Sequence, residues 1–484
     1  MNGFGSLFSV TLPETILEVV SLLVLVFDLG LLRRSAQASR MAWACVLGAL
    51  GCGLSAAWLA THPQLADFGT LLSATPLLAA AQIGILVLSA LVLLLSVKVE
   101  FSRNPGEYVA IVLLATTGMM LVAAARDLLI IFIALELLSL SLYVLTAFWK
   151  SSAHSAEAAL KYYLFGGMSA ALMLFGFSYL YGLTGTTSLT GIAASLAVQG
   201  ASPLLIVALA LVAAGLGFKV AAVPFHLWAP DTYQGAPAPV TALIASGSKV
   251  ASFAVLIALT GGVLSYASTD SSSSSWAVLL LTMAAASIVL GNLTALVQTS
   301  VRRLLAYSAI AHAGYMLLGI AAHTAQSDAA VLYYALTYAL TTVGAFGVIA
   351  VVERSTGSDR LDAFAGLSRR NPVLAGTMFV FLLSLAGIPP LVGFWAKFNL
   401  FSAVLHAPAA RHWGLALVAA ALAASAVSLY YYLQVLKRIY VAPPVHAEAM
   451  PVTTLELLVL SLIAVGVVVL GLMPAALSSW IPLG

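Results

Sequence analysis

The chain has 484 residues, of which 62% are hydrophobic and only 8% charged, and its formal net charge is +3. A soluble domain carries roughly 25% charged residues, so this composition excludes a soluble globular protein and describes a polytopic membrane protein. The small net charge carries no nucleic-acid signal. The two cysteines, Cys45 and Cys52, are too few for an iron–sulfur cluster, which takes about four. There is no CxxC pair, no Walker A loop and no complete GxGxxG. Gly51-Cys52-Gly53, the nearest approach, lies in an apolar run where helix packing is the better reading. No redox cofactor, nucleotide or metal is therefore expected on this chain.

An apolar run of about 20 residues spans a bilayer. That ruler predicts an all-α fold of about fourteen transmembrane helices, at 13–32, 41–60, 76–97, 107–125, 127–148, 157–183, 203–234, 237–263, 276–297, 302–322, 328–352, 372–405, 413–439 and 453–472. The first run has no basic start and carries Glu14, Glu18 and Asp28, so it reads as a retained span and not a cleaved signal. Glu14 and Glu18 open that helix and fit compensation of its dipole. The segments 203–234 and 372–405 would reach roughly 48 and 51 Å as straight helices, too long for a hydrocarbon core of about 30 Å. Each is interrupted by proline, at Val223-Pro224-Phe225-His226 and at Gly387-Ile388-Pro389-Pro390.

Matching discontinuous helices mark inverted-repeat transporters. Trp228-Ala229 follows the first break and Trp395-Ala396 the second, while Leu160-Lys161-Tyr162-Tyr163 and Leu332-Tyr333-Tyr334 open corresponding spans. The expected organisation is one membrane domain over 1–484. It has three N-terminal helices in 1–100, a five-helix unit in 103–263, a second, inverted five-helix unit in 276–440, and a last helix at 453–472. The serine tract Asp270–Ser275 reads as a polar hinge loop between the units. Fourteen of the twenty lysines and arginines fall on alternate loops, from Arg33 and Arg34 to Lys437 and Arg438, against Arg126 and Arg411 on the other side. By the positive-inside rule both termini then lie outside the cytoplasm.

The remaining four cations, Lys161, Lys219, Lys249 and Lys397, lie inside apolar spans, as does Glu136. A charge at the bilayer centre costs at least about 2.5–3.5 kcal/mol and usually marks an ion or proton path. Burial disfavours the charged form of a lysine, which suits it to take up and release protons. Glu136 is expected to pair with a buried lysine; the plain alternative is a neutral carboxyl bonded to a neighbouring helix. Lys219 precedes Pro224 by five residues, where a broken helix frees carbonyls that can bind a cation. Lys249 is too deep to snorkel easily, and Lys397 follows the second break by seven residues. Lys161, with Glu157 one turn before it, reads equally as a helix salt bridge. His226 at the first break and His312, between Tyr307 and Tyr315, are candidate relays because histidine titrates near neutrality; a structural role is the alternative for each. Asp231 can simply close the short helix after the break. Tyr430-Tyr431-Tyr432 and the tryptophans read as packing or interface-belt residues.

The run Pro224-Phe225-His226-Leu227-Trp228-Ala229-Pro230-Asp231-Thr232-Tyr233-Gln234-Gly235-Ala236-Pro237, with Pro239-Val240-Thr241-Ala242 and Ser248-Lys249-Val250-Ala251, closely resembles the subunit N family of bacterial NADH:quinone oxidoreductase (respiratory complex I). The resemblance covers essentially the whole chain. Sister antiporter-like subunits, including those of Mrp-type Na⁺/H⁺ antiporters, usually carry a PxHxWLPD-like version; here alanine follows Trp228. The resemblance implies that Glu136 is the family's fifth-helix glutamate, Lys219 its partner on the broken seventh helix, Lys249 the connecting lysine on helix eight, and Lys397 the exit-side lysine on the broken twelfth. Lys161 matches an accessory lysine on helix six. The family's largest antiporter-like subunit bears a long lateral helix, for which this chain, ending at Gly484, is expected to have no room.

The function so implied is a proton-translocating, non-redox subunit of a bacterial inner-membrane complex. Its partners are the neighbouring membrane-arm subunits, lipid, protons and water. FMN, iron–sulfur clusters and quinone are expected on partner subunits, with no nucleic acid involved. The alternative is a subunit of an Mrp-type Na⁺/H⁺ antiporter using the same axis. A solitary small-molecule transporter lacks support, since no polar cluster beyond the charge axis would cradle an organic substrate. Five buried charges are expensive for a pure scaffold.

Overall fold

A computed structural model of the protein describes residues 10–62, 71–99, 101, 103–199, 202–261, 275–444 and 448–481. Among the described residues the secondary structure is helical, apart from isolated bridges pairing Leu72 with Ala125, Asp127 with Ser188 and Ser300 with Arg360. In chain order the spans are α1 (Leu12–Val26, extended by a π-helical turn, Phe27–Leu31), α2 (Gln37–Thr61), α3 (Pro76–Leu95), α4 (Pro105–Ala124), α5 (Leu128–Thr146) and α6 (Ala153–Thr184). Next come α7 in two halves (α7a, Pro203–Val220; α7b, Trp228–Gly235), α8 (Ala238–Leu259), α9 (Ser275–Ala295), α10 (Val301–Ala322) and α11 (Ala325–Thr356). The last are α12 in two halves (α12a, Pro372–Ala386; α12b, Val392–His406), α13 (Gly414–Tyr440) and α14 (Thr454–Leu472). Among the described residues twelve helices are long and apolar enough to cross a membrane, and α1 and the interrupted α12 complete the expected fourteen.

Lipid offers no partner for the free N–H groups at a helix start, so the chain supplies its own. Ser202 accepts from Leu205 N (3.2 Å) ahead of Pro203, and Asn371 accepts from Leu374 N (3.0 Å) ahead of Pro372. Both broken helices thus open on a polar cap followed by a proline that needs no donor. Thr324 and Ser327 form a reciprocal capping box at α11, and Thr453 and Glu456 form one at α14.

Both interruptions fall where the prolines predict them. α7a ends at Val220, Ala221 takes a left-handed conformation (φ 59°), and helix resumes at Trp228. α12a ends at Ala386 with Gly387 left-handed (φ 85°), and helix resumes at Val392. Glycine is needed at 387 on two counts: its φ, and a Cβ there would approach Lys397 Cδ to 2.9 Å. Val223–Pro224 and Pro389–Pro390 are cis. The Trp228 indole N–H donates to Phe218 O across the first break (2.9 Å), and Tyr162 of α6 stacks on its ring at 4.4 Å, which pins α7b in place.

Two features depart from the expected segmentation. α8 is not a continuous helix: it is interrupted at Ser246 (φ −117°, ψ −89°), between Ala238–Ala245 and Gly247–Leu259. The cause is a Ser246-Gly247 step, with Gly247 seated where a Cβ would meet Met119 Sδ at 2.8 Å. A short helix, Leu189–Gln199, also lies between α6 and α7. The hinge expected at Asp270–Ser275 lies outside the described residues except for Ser275, which opens α9. α8, α10 and α11 are almost wholly buried, while α6 and α13 turn Leu164, Met168, Leu422 and Tyr430 outward. Such an apolar exterior suits a lipid surrounding.

Candidate functional site

Lys219 sits in the last turn of α7a, where the free carbonyls and the helix dipole favour a cation. Its buried ammonium donates to the Ser139 hydroxyl of α5, and that hydroxyl donates to Leu135 O. Glu136 lies one turn before Ser139 on α5. It is half-buried, and its Oε1 is enclosed without a hydrogen-bond partner. Among the described residues no ion pair joins Glu136 to Lys219: the serine hydroxyl holds the ammonium in place of the carboxylate.

Lys249 follows the interruption in α8 and is 1% exposed. It donates to Ala309 O of α10 (2.8 Å) and to Val220 O (3.4 Å), the last carbonyl of α7a and the neighbour of Lys219. Lys397 folds back from α12b to the end of α12a. There it donates to Leu385 O (3.1 Å), Ala386 O (2.8 Å) and the Ser425 hydroxyl of α13 (2.7 Å). Carbonyls at broken helix ends thus receive both inner lysines, and no carboxylate touches either ammonium among the described residues. Neutral oxygens solvate an ammonium without locking its charge to a counter-ion.

His312 bridges the space between them. The Lys249 ammonium lies 5.8 Å from the Tyr338 ring, whose centroid is 4.9 Å from the His312 ring. On the other side His312 is 5.8 Å from Tyr315, whose ring is 5.7 Å from the Lys397 ammonium. Cations over aromatic faces are favoured at such distances. His312 Nδ1 bonds with the Tyr334 hydroxyl (2.7 Å), and Nε2 lies 3.4 Å from that of Tyr432, which also bonds to Ser308 (2.5 Å). A small cavity beside His312 is lined by residues that include Thr337, Thr341 and Ser384. These groups place polar and aromatic side chains in the space between Lys249 and Lys397, at separations of 4.9 to 5.8 Å.

The other candidates lie apart from these groups. Lys161 bonds to Glu157 (2.7 Å) and to Asp231 (2.8 Å), and Asp231 also takes Arg303 (2.6 Å). Asp231 is therefore the centre of an ion-pair cluster and not a helix cap. The buried Arg302 donates to Gln234 O (2.5 Å) and pairs with Glu353 (3.4 Å). Together they line a polar cavity of about 550 Å³ between α6, α7b, α10 and α11. His226 is buried in the first break, and its Nδ1 has no hydrogen-bond partner among the described residues.

Several participants were not singled out from the sequence. Ser139 and Ser425 are the hydroxyl acceptors of two lysines; the spacing of Ser139 from Glu136 was the one available signal. Of the tyrosine triplet, Tyr430 faces outward as a belt residue would. Tyr431 and Tyr432 are buried and hydrogen-bonded to Asn292 and to Ser308 and His312. Glu14 opens α1 as expected, but it is also buried and accepts from Gln82 (3.2 Å).

A bundle in which α7, α8 and α12 are interrupted, with a buried lysine at each break, defines an antiporter-like membrane subunit. The family model for NADH:quinone oxidoreductase/Mrp antiporter transmembrane proteins matches residues 125–423. The chain is 48% identical to NADH-quinone oxidoreductase subunit N 2 of Acidobacterium capsulatum, over 99% of each chain. A subunit in the structure of respiratory complex I from Thermus thermophilus with bound aureothin superposes with a TM-score of 0.77 at 33% identity, covering 96% of this chain and 97% of that one. A chain of the Mrp complex from Dietzia sp. superposes at 0.80 with 21% identity, over 96% of each, a likeness of fold alone. The chain belongs to the subunit N family of NADH-quinone oxidoreductase.

Proposed function

We propose that the chain is the proton-translocating, non-redox subunit N of an NADH:quinone oxidoreductase in the bacterial inner membrane, with both termini on the periplasmic side. Its partners are the neighbouring membrane-arm subunits of the complex, and FMN, iron–sulfur clusters and quinone reside on partner subunits. Electron transfer there alters the contact between Glu136 and Lys219. Protons then pass through water and hydroxyl groups from Lys219 to Lys249, past His312, to Lys397, and leave on the opposite side. The observation that carries this reading is the succession of buried lysines along the broken helices, each held by neutral oxygens. Such a succession has no structural economy in lipid. The 48% identical relative supports the NADH-linked assembly over the Mrp alternative, which the family model also covers and to which the solved Mrp chain is alike in fold alone.

Purification of the tagged chain in mild detergent tests the assembly. The expected result is a large complex with flavin and iron–sulfur absorbance and inhibitor-sensitive NADH oxidation. A small, colourless assembly exchanging Na⁺ for H⁺ overturns it in favour of the antiporter.

A further inference from the structure

Three polar side chains share one face of α5 at helical spacing, Glu136, Ser139 and Tyr143. Ser139, in the middle, accepts from Lys219 and has its one proton committed to Leu135 O of its own helix. Its neighbours are unpartnered. Glu136 Oε1 is buried without a partner, and the buried Tyr143 hydroxyl lies near Ser139 without a hydrogen bond of good geometry. Tyr143 is held from behind, because a Cβ on Gly166 of α6 would fall 1.8 Å from its oxygen. Its ring also packs edge-on against Tyr162 (4.7 Å). A serine bonded to the preceding turn of its own helix is free to rotate its hydroxyl without moving the backbone.

We propose that Ser139 is the positioning residue that switches Lys219 between two partners. In one position its hydroxyl bonds to Leu135 O and holds the ammonium away from Glu136. In the other it turns its proton to the Glu136 carboxylate and draws the ammonium toward the acid, while the Tyr143 hydroxyl donates to the Ser139 oxygen that Lys219 has left. The proton stays on its own heavy atom throughout, and only hydrogen bonds exchange. This inference rests on the proposed proton path and adds the device that opens and closes its first step.

The test uses the assembled complex in sealed vesicles, with proton uptake per NADH oxidised and the coupled turnover rate measured for Ser139→Ala, Ser139→Cys, Ser139→Thr and Lys219→Ala. A hydroxyl switch requires coupled turnover to fall about tenfold in Ser139→Ala, one hydrogen bond to a charged group being worth about 1.5 kcal/mol or more. Ser139→Cys, similar in volume but a weak donor, falls alongside it, and Ser139→Thr recovers to within about twofold. A purely packing role gives the reverse order, with Cys active and Thr impaired, and overturns the proposal, as does wild-type behaviour in both Ala and Cys variants while Lys219→Ala is impaired. If Lys219→Ala itself pumps normally, the underlying path falls first. Should Ser139→Ala not assemble, the Cys and Thr pair decides alone.

Discussion

Gly393, in the first turn of α12b, offers a sharp test of how the broken helix holds Lys397. A Cβ at this position would lie 1.8 Å from Ser384 O and 3.0 Å from Ser384 Oγ. The obstacle is backbone of α12a, so relief means displacing α12b by about 1 Å or more, since packed interiors have little slack. Lys397 is one turn further along α12b, and its ammonium reaches Leu385 O and Ala386 O at 3.1 and 2.8 Å. The shift drags it off those carbonyls. Overpacking costs about 1–3 kcal/mol, and a misplacement of about 1 Å can cost on the order of 100-fold in rate. Gly393→Ala should therefore lower proton uptake by NADH-energised vesicles about 10- to 100-fold, normalised to assembled complex. Gly376→Ala in α12a is the control: its Cβ meets no heavy atom within 4 Å, and alanine is favoured over glycine in a helix by about 0.5–1 kcal/mol. Near-wild-type uptake in Gly393→Ala would refute the claim that the α12 break positions Lys397.

Cys45 and Cys52 are buried and unpaired, so maleimide should label neither in the folded protein and both after denaturation, read by mass spectrometry. Glu456 bonds Arg354 twice (2.5 and 2.8 Å) and caps α14 through Thr453 N (3.0 Å). With the arginine about one-third exposed, Glu456→Ala should destabilise by about 1–3 kcal/mol, seen as a lower melting temperature in detergent. Asp231 serves a partly exposed ion-pair cluster, so Asp231→Asn should change coupled turnover by less than about fivefold, the rate equivalent of ~1 kcal/mol. A larger loss would move the cluster into the proton path.

The spans and both broken helices were legible because lipid leaves few options: a run of apolar residues must be helical, and Pro224 or Pro389-Pro390 must interrupt it. The lysines were legible because charge in such runs is rare. Their surroundings were not. Serine, threonine and tyrosine are common in membrane helices, so nothing local separates Ser139 or Ser425, which receive lysines, from Ser178, which bonds only to its own helix. Tyr432 meets His312 from a helix 120 residues away in sequence, a relation that spacing along one helix does not encode. The interruption of α8 at Ser246-Gly247 was not legible because serine and glycine also occur inside continuous helices, and the close seat of Gly247 against Met119 is a contact between distant parts of the chain. That Glu136 would pair with a buried lysine was expected from charge, and Lys219 as its partner from the resemblance; the Ser139 hydroxyl that receives Lys219 instead is neutral and silent in a charge count.

The central claim is that protons travel through Lys219. The direct measurement is proton uptake per NADH oxidised in vesicles carrying the fully assembled Lys219→Ala complex, alongside wild type at equal content of complex. The account predicts a strong loss of coupled proton uptake while NADH oxidation by a hydrophilic acceptor is retained. Wild-type uptake in that assembled variant would contradict it.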